Sequence, residues 1–230
     1  MKKEKIIAII PARSGSKSIK DKNILRLKNK SLIAWAIESC IKSKVFFKIY
    51  LSTDSIKYAK IAKKYKNVEV IIRPKKISKD FSTDYEMINH AMNTIKEDYE
   101  LIAHIRPTSP LRKTKDIKSA IKSFINTKNN SLRSVHEMSE SSYKSVEIKK
   151  GLLSPLANIK KSLDEINLPR QNFNKTYSPN GIIDIYRKNF VLKHRKLFGK
   201  RVKAFITDYS QEVDNMQDFR YIEYLCKKKL

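Results

Sequence analysis

Glycine is scarce in this chain: Gly15, Gly151, Gly181 and Gly199 are the only four among 230 residues. Neither G-x-x-x-x-G-K-[ST] nor G-x-G-x-x-G occurs, which excludes a P-loop and a dinucleotide fingerprint. Cysteine is nearly missing too. Cys40 and Cys226 stand far apart and outside any CxxC, so the sequence contains neither a disulfide framework nor a thiolate zinc site, and a reducing compartment fits. The four histidines, His90, His104, His136 and His194, show no metal-ligand spacing; His90 and His104 read as packing or solvated residues rather than catalysts. No apolar run approaches the ~20 residues that span a bilayer. Lys2 and Lys3 ahead of Ile6 to Ile10 faintly mimic a secretory signal, but Pro11 and Arg13 close the run and no small-x-small cleavage pattern follows. The expectation is a soluble, cytoplasmic protein without a membrane partner. Acidic residues are also short in supply, 23 against 50 Lys and Arg, for a net charge of +27. Such a charge admits nucleic acid, an anionic membrane face or an acidic small substrate. Lysine is spread from Lys2 to Lys229 without a long block, and the aromatics do not interleave with it at base-stacking spacing, so nucleic acid is not the expected partner.

What the chain does carry is concentrated near its start. The apolar run Ile6 to Ile10 empties into Pro11-Ala12-Arg13-Ser14-Gly15-Ser16-Lys17 and on to Lys22-Asn23. A buried strand that opens into a small-residue loop with guanidinium and ammonium groups is a way of holding phosphates. Charge density alone does not point there: residues 11 to 23 hold four basic side chains, against roughly three expected from composition. The order does, because one of four glycines falls between two serines, where backbone N–H groups can approach an anion closely. The leading expectation is a nucleotide-handling enzyme.

Apolar β runs alternate with helical patterns through the first 136 residues, the pattern of repeated βαβ units. Strands are predicted at Lys5 to Ile10, Lys48 to Ser52, Val68 to Ile72, Leu101 to Ile105 and Leu132 to Val135. Between them, Leu32, Trp35, Ala36 and Cys40 mark a helix behind Ser31, and Ile56, Ala59, Ala62 and Tyr65 another behind Asp54 or Ser55. A third helix follows the capping box of Thr83 and Glu86, and a fourth runs from Thr114 to Phe124. Right-handed crossovers stack these into a doubly wound, mostly parallel α/β sheet. Residues 137 to 180 break the pattern and read as an inserted arm within one domain of 1–230. Regular structure resumes with Gly181 to Tyr186, Val202 to Ile206 and a helix from about Met216 to Cys226.

In such a sheet, ligands bind beyond the carboxyl ends of the strands. The segments found there are Arg13 to Lys17, Ser52-Thr53-Asp54, Arg73-Pro74 and Arg106-Pro107-Thr108-Ser109-Pro110-Leu111-Arg112. Each is polar and most carry a cation, which points to a phosphate-bearing ligand. Together with Ile9 to Arg13, Lys22-Asn23, Pro169-Arg170-Gln171, Pro179-Asn180-Gly181 and Val213-Asp214, in this order, they resemble the motifs of the acylneuraminate cytidylyltransferases, the CMP-sialic acid synthetases.

The resemblance implies a nucleotide-diphospho-sugar transferase-like fold with a dimerisation arm, and an enzyme that joins CTP to a nine-carbon α-keto acid sugar with release of pyrophosphate. By position it implies catalytic roles for Arg13, Lys22 and Asp214. Nucleotide contacts fall to Arg13, Ser14, Gly15, Ser16, Lys17, Lys22, Asn23 and Arg73. Sugar contacts fall to Arg106, Thr108, Ser109, Arg170, Asn180 and Gly181, with Lys144 reaching in from the partner of a homodimer. Magnesium would be held by Asp214, with Glu212 standing where relatives carry a second aspartate. Three further departures stand out: Arg106 where relatives often have glutamine, Asp84 in place of a small hydroxyl residue, and Asp184 where an aromatic is usual. An Arg106 cation there can meet the substrate carboxylate; Asp184, on the face of Ile182 and Tyr186, either faces the cleft or marks an edge strand. The Arg106 to Arg112 motif argues against a pseudaminic acid enzyme and leaves legionaminic and 3-deoxy-octulosonic acids open. Rival readings are a basic nucleic-acid-binding protein and a regulatory relative without catalysis.

Overall fold

In a computed structural model of the chain, residues 4–156 and 162–228 are described. Lys2, Lys3 and residues 157–161 of the expected arm lie outside them. The core strand is β1 (Ile6–Pro11), buried along Ile6 to Ile10. A strand covered on both faces reads as a continuous apolar run rather than an alternation. Side chains still alternate: Ile6, Ala8 and Ile10 enter one core cluster, Ile7 and Ile9 the other. Each fully buried isoleucine contributes about 1.5–3 kcal/mol.

The chain continues through α1 (Leu32–Ser43), β2 (Lys48–Thr53), α2 (Ile56–Ala62), β3 (Val68–Ile72), α3 (Asp84–Thr94), β4 (Leu101–His104), α4 (Thr114–Ile125) and β5 (Ser131–Glu137). A hairpin of β6 (Val146–Lys149) and β7 (Leu152–Pro155) and a short α5 (Leu163–Ile166) follow, then β8 (Tyr177–Arg187), α6 (Lys188–His194), β9 (Val202–Ile206) and α7 (Met216–Lys228). The main sheet has the order β9-β5-β8-β4-β1-β2-β3. Only β8 runs antiparallel, against both β4 and β5. Helices α1, α2 and α4 cover one face and α3 and α6 the other. The doubly wound, mostly parallel sheet predicted from periodicity is therefore present. Chain order reverses direction between β1 and β4, which opens a crevice at their carboxyl ends.

Caps follow the sequence closely. Ser31 accepts from Ala34 N–H, and Ser55 rather than Asp54 caps α2. Thr83 and Glu86 form the reciprocal capping box of α3. One boundary and one facing differ from expectation. Residues Tyr177, Ser178 and Pro179, counted as the end of the arm, already pair with Glu137, His136 and Val135. A bulge between Pro179 and Asp184 then shifts the alternation of β8, so Ile182 and Ile183 both join the α4-side core while Asp184 and Tyr186 face α3. Ile182 is thus not on the face of Asp184, and β8 is an interior strand rather than an edge. Replacing Thr83 by Ala should lower the unfolding free energy by about 1 kcal/mol, measured by urea denaturation, with the slope of the transition unchanged.

Candidate active site

The crevice is lined by Arg13, Ser16, Lys17, Lys22, Asn23, Arg73, Asp84, Arg106 and Thr108, among others, and encloses about 470 Å³. Three cations gather at one end. Arg13 Nη1 and Lys17 Nζ both bond Asp80, at 2.7 Å each, and these bonds, Lys17's first, hold the exposed Asp80 carboxyl below its ordinary value. Asp80 was not legible as a site residue, because nothing in its exposed surroundings marks it. Lys22 Nζ donates to the Val213 carbonyl at 2.9 Å and lies 3.6 Å from Asp214. Its position is set by a small core of Ile19, Leu27, Leu32, Val213, Phe219 and Ile222, which clamps α7 against the segment after the first loop. Asn23 donates from Nδ2 to the Arg13 carbonyl and fixes the loop's curvature.

Ser14 turns away from the crevice: its N–H and hydroxyl both donate to Asp54, at 2.8 Å. Asp54 therefore braces the first loop from the end of β2 instead of capping α2. Gly15 has open space where a Cβ would project, which leaves room for a ligand beside its backbone. Arg73 is buried, 6% exposed, and its Nε and Nη2 have no protein acceptor. Buried donors without partners are costly, on the order of 1–3 kcal/mol each, so an acceptor on a ligand suits them. Burial also pulls the Arg73 guanidinium below its usual basicity.

The wall after β4 differs from what the sequence implied. Arg106 bonds Asp184 Oδ2 at 2.8 Å and Asp84 Oδ2 at 2.7 Å, so this cation already has two protein carboxylates. Asp184 is fully buried, and burial pushes its carboxyl up while Arg106 pulls it down. With the guanidinium 2.8 Å away, the charged pair is the state that fits. Behind it, His104 is fully buried next to the Tyr186 hydroxyl, 3.3 Å from Nδ1, and its pKa is pushed down to about 3, by burial first and by Arg106 next. Of the remaining loop, Thr108 lines the crevice, but Ser109 is fully buried and is not a crevice residue.

Gly181 sits where no side chain fits. A Cβ there would come within 2.5 Å of Ser109 Oγ and 2.8 Å of Glu212 Oε2. Its N–H donates to Glu212 Oε1, and Thr108 donates to Oε2 at 3.3 Å. Each Glu212 oxygen thus accepts from one protein donor, which fastens the carboxylate against Gly181 and Thr108. Asn180 is likewise taken up inside, donating to Thr207 Oγ1 and accepting from Ile182 N–H. Asp214 is exposed beside Lys22. Among the described residues no cluster of three or more His, Cys, Asp or Glu side chains forms a cage for a metal. One exposed carboxylate beside Lys22, at the basic end of the crevice, fits Mg²⁺, which binds through one or two carboxylates and substrate phosphates.

Lys144 and Arg170 are not brought to this crevice within one chain. Lys144 donates to the Leu168 carbonyl, and Arg170 to Glu137 and the Met138 carbonyl. Arg170 instead borders a second open cavity of about 700 Å³ with His136, Glu137 and Tyr209.

The sequence matches the family described as Cytidylyltransferase over residues 7–230. The chain belongs to that family. It is 34% identical to an N-acylneuraminate cytidylyltransferase of Escherichia coli over 98% of this chain and 53% of the relative. It is 30% identical to the post-translational flagellin modification protein B of Campylobacter coli, over 97% of this chain and 96% of that protein. The chain spans about half the length of the N-acylneuraminate cytidylyltransferases it matches. A CMP:2-keto-3-deoxy-manno-octonic acid synthetase solved with CTP shares the fold, with a TM-score of 0.73 at 14% identity, over 98% of this chain and all of that one.

Two outcomes test this geometry. Because folded His104 titrates near 3 and an unfolded histidine near 6.5, the unfolded chain takes up the proton first as pH falls. Stability should therefore drop by about 1.4 kcal/mol per pH unit below ~6.5 from this group alone, and His104→Gln should flatten that limb in chemical denaturation at pH 5 to 7. Gly181→Ala should cost about 1–3 kcal/mol, read as a lowered melting temperature.

Proposed function

We propose that the chain is a soluble, cytoplasmic cytidylyltransferase that activates a nine-carbon α-keto acid sugar of the sialic or legionaminic type with CTP. The observation that carries this reading is the convergence of Arg13, Lys17, Lys22 and Arg73 on one crevice at the β1/β4 switch point, in a member of the Cytidylyltransferase family. A sugar hydroxyl oxygen forms the new bond to the α-phosphorus, the bond to pyrophosphate breaks, and the hydroxyl proton is lost to solvent. Such a displacement needs positioning and charge neutralisation rather than a covalent catalyst. Arg13, Lys17 and Lys22 supply the neutralisation, and the Arg73 donors take an acceptor of the nucleotide. Asp214 would hold magnesium, which when bound neutralises phosphate charge. Glu212 keeps Gly181 and Thr108 in register.

The same reading makes residues 138–176, between β5 and β8, the arm of a single domain and the functional unit a homodimer. The β6–β7 hairpin supports it: Ile148 and Leu153 are a cross-strand pair on one face, 74% and 56% exposed, an apolar patch that a second copy would cover. Lys144 and Arg170, which lie away from the crevice of their own chain, would then serve the neighbouring one. Light scattering should give twice the chain mass, and Ile148→Lys with Leu153→Lys should give the monomer with little pyrophosphate release.

The activity itself is tested by pyrophosphate release from CTP and Mg²⁺ with N-acetylneuraminic, legionaminic, pseudaminic or 3-deoxy-octulosonic acid, or no sugar. Release that requires a nine-carbon acid is expected, with Lys22→Met lowering kcat/KM on the order of a hundredfold. Folded protein that binds no CTP, or binds RNA in a salt-sensitive way without needing CTP, would overturn the reading.

A further inference from the structure

Arg106, Asp84 and Asp184 stand at three separated positions of the sequence, yet they meet in one hydrogen-bonded chain. The Arg106 guanidinium joins the fully buried Asp184 on one side to the half-exposed Asp84 on the other. Arg133 Nε approaches the second Asp184 oxygen at 3.8 Å, too far for a hydrogen bond, and that oxygen is buried without a closer partner. We propose that the three residues act as one specificity-determining unit that reads an N–H donor on the substrate, with Asp84 as the contact and Asp184 as the positioning residue. This deepens the cytidylyltransferase reading and rests on it.

Charge and hydrogen-bond capacity carry the inference. A guanidinium shared by two carboxylates has no net attraction left for a ligand anion, so Arg106 is not a carboxylate receptor here. A carboxylate offers about four acceptor positions, and Arg106 takes one of Asp84's. Asp84 lines the crevice, so its remaining acceptors face ligand space. With Arg133 also 3.8 Å from Asp184 the cluster carries no net positive charge, so phosphates and carboxylates are drawn instead to Arg13, Lys17 and Lys22. What Asp84 accepts is an uncharged donor. The unpartnered Nε and Nη2 of Arg73 offer donors in the same crevice, so its wall pairs acceptor with donor. A group that carries both an N–H and a carbonyl or ring-nitrogen acceptor complements it. Two parts of the substrates have that chemistry: the amino-pyrimidine edge of cytosine and the acylamino substituent of an acid sugar.

Asp184 matters because a carboxylate on the first turn of α3 would otherwise choose among several rotamers. Held through Arg106 to a buried charge in an interior strand, Asp84 keeps one position. Removal of Asp184 leaves a guanidinium with half its anchorage, so the loss should appear in selectivity as well as in rate.

The test measures CTP and UTP binding by calorimetry, and pyrophosphate release with a nine-carbon keto acid bearing either an acetamido or a hydroxyl group at the same carbon. Asp84→Ala is expected to lower one of these two preferences, CTP over UTP or acetamido over hydroxyl, on the order of ten- to a hundredfold; which one falls names the source of the N–H. Asp184→Asn should lower the same preference, and Asp184→Asn with Arg106→Gln should lose no more than the worse single variant. Both preferences unchanged in a folded, CTP-binding Asp84→Ala protein would overturn the inference, as would additive losses in the double variant. If Asp184→Asn does not fold, the exposed Asp84 and the Arg106→Gln single variant carry the comparison. A wild-type protein that binds neither nucleotide and releases no pyrophosphate overturns the cytidylyltransferase reading itself, whereas active wild type with unmoved preferences overturns only the unit.

Discussion

Because β1 is apolar on both faces, it can hold no polar side chain until it leaves the sheet at Pro11. That constraint places the chemistry. Burial of Ile6 to Ile10 between two helical layers fixes the strand in the middle of the sheet, and right-handed crossovers carry β2 and β3 to one side and leave β4 on the other. The loops after β1 and β4 then diverge from adjacent strands, and the crevice between them is the place where Arg13, Lys22 and Arg106 can face a common ligand. The same apolar run that predicts a strand thus determines where the cations end up.

A chain with 50 basic and 23 acidic residues has few carboxylates to spare, and six of them are gathered at or around this crevice. Asp54 braces Ser14, Asp80 bridges Arg13 and Lys17, Asp84 and Asp184 share Arg106, Glu212 binds Gly181, and Asp214 stands beside Lys22. Without ligand, cations this close would repel one another. Asp80 relieves that repulsion from the solvent side, where an incoming anion can displace it. Asp184 relieves it from the interior, where nothing can. The crevice therefore has an exchangeable end and a fixed end, and the +27 charge of the whole chain says little about either.

Elements whose cause is local were legible in the sequence. The strands β1 to β4, the Ser31 cap and the Thr83/Glu86 capping box depend on patterns within a few residues, and they fall where periodicity puts them. Features that depend on long-range pairing were not. The bulge after Pro179 inverts the facing of Ile182 relative to Asp184, and a period-two reading has no means of detecting one extra residue. Glu212 enters the sequence reading only through the resemblance, and its hydrogen bond from the Gly181 N–H, 31 positions away, has no signal in the sequence. Ser109 reads as a ligand residue by motif, yet the turn of its loop buries it under Gly181.

Arg112 shows how such a loop is held. Its guanidinium is buried and donates to the carbonyls of Arg106, Gly181 and Ile182, so one side chain ties the loop after β4 to the bulge of β8. Burial pulls its pKa down to about 10, which still leaves it charged at neutral pH. Backbone carbonyls are weaker partners than carboxylates, but three of them satisfy the planar fork without adding a negative charge that would compete with Asp184 for Arg106. The wall of the crevice is therefore anchored twice, by a guanidinium bound to carbonyls that sets the backbone and by a guanidinium bound to carboxylates that sets the side chains. An arginine that faces no ligand thereby fixes the place of one that lines the crevice.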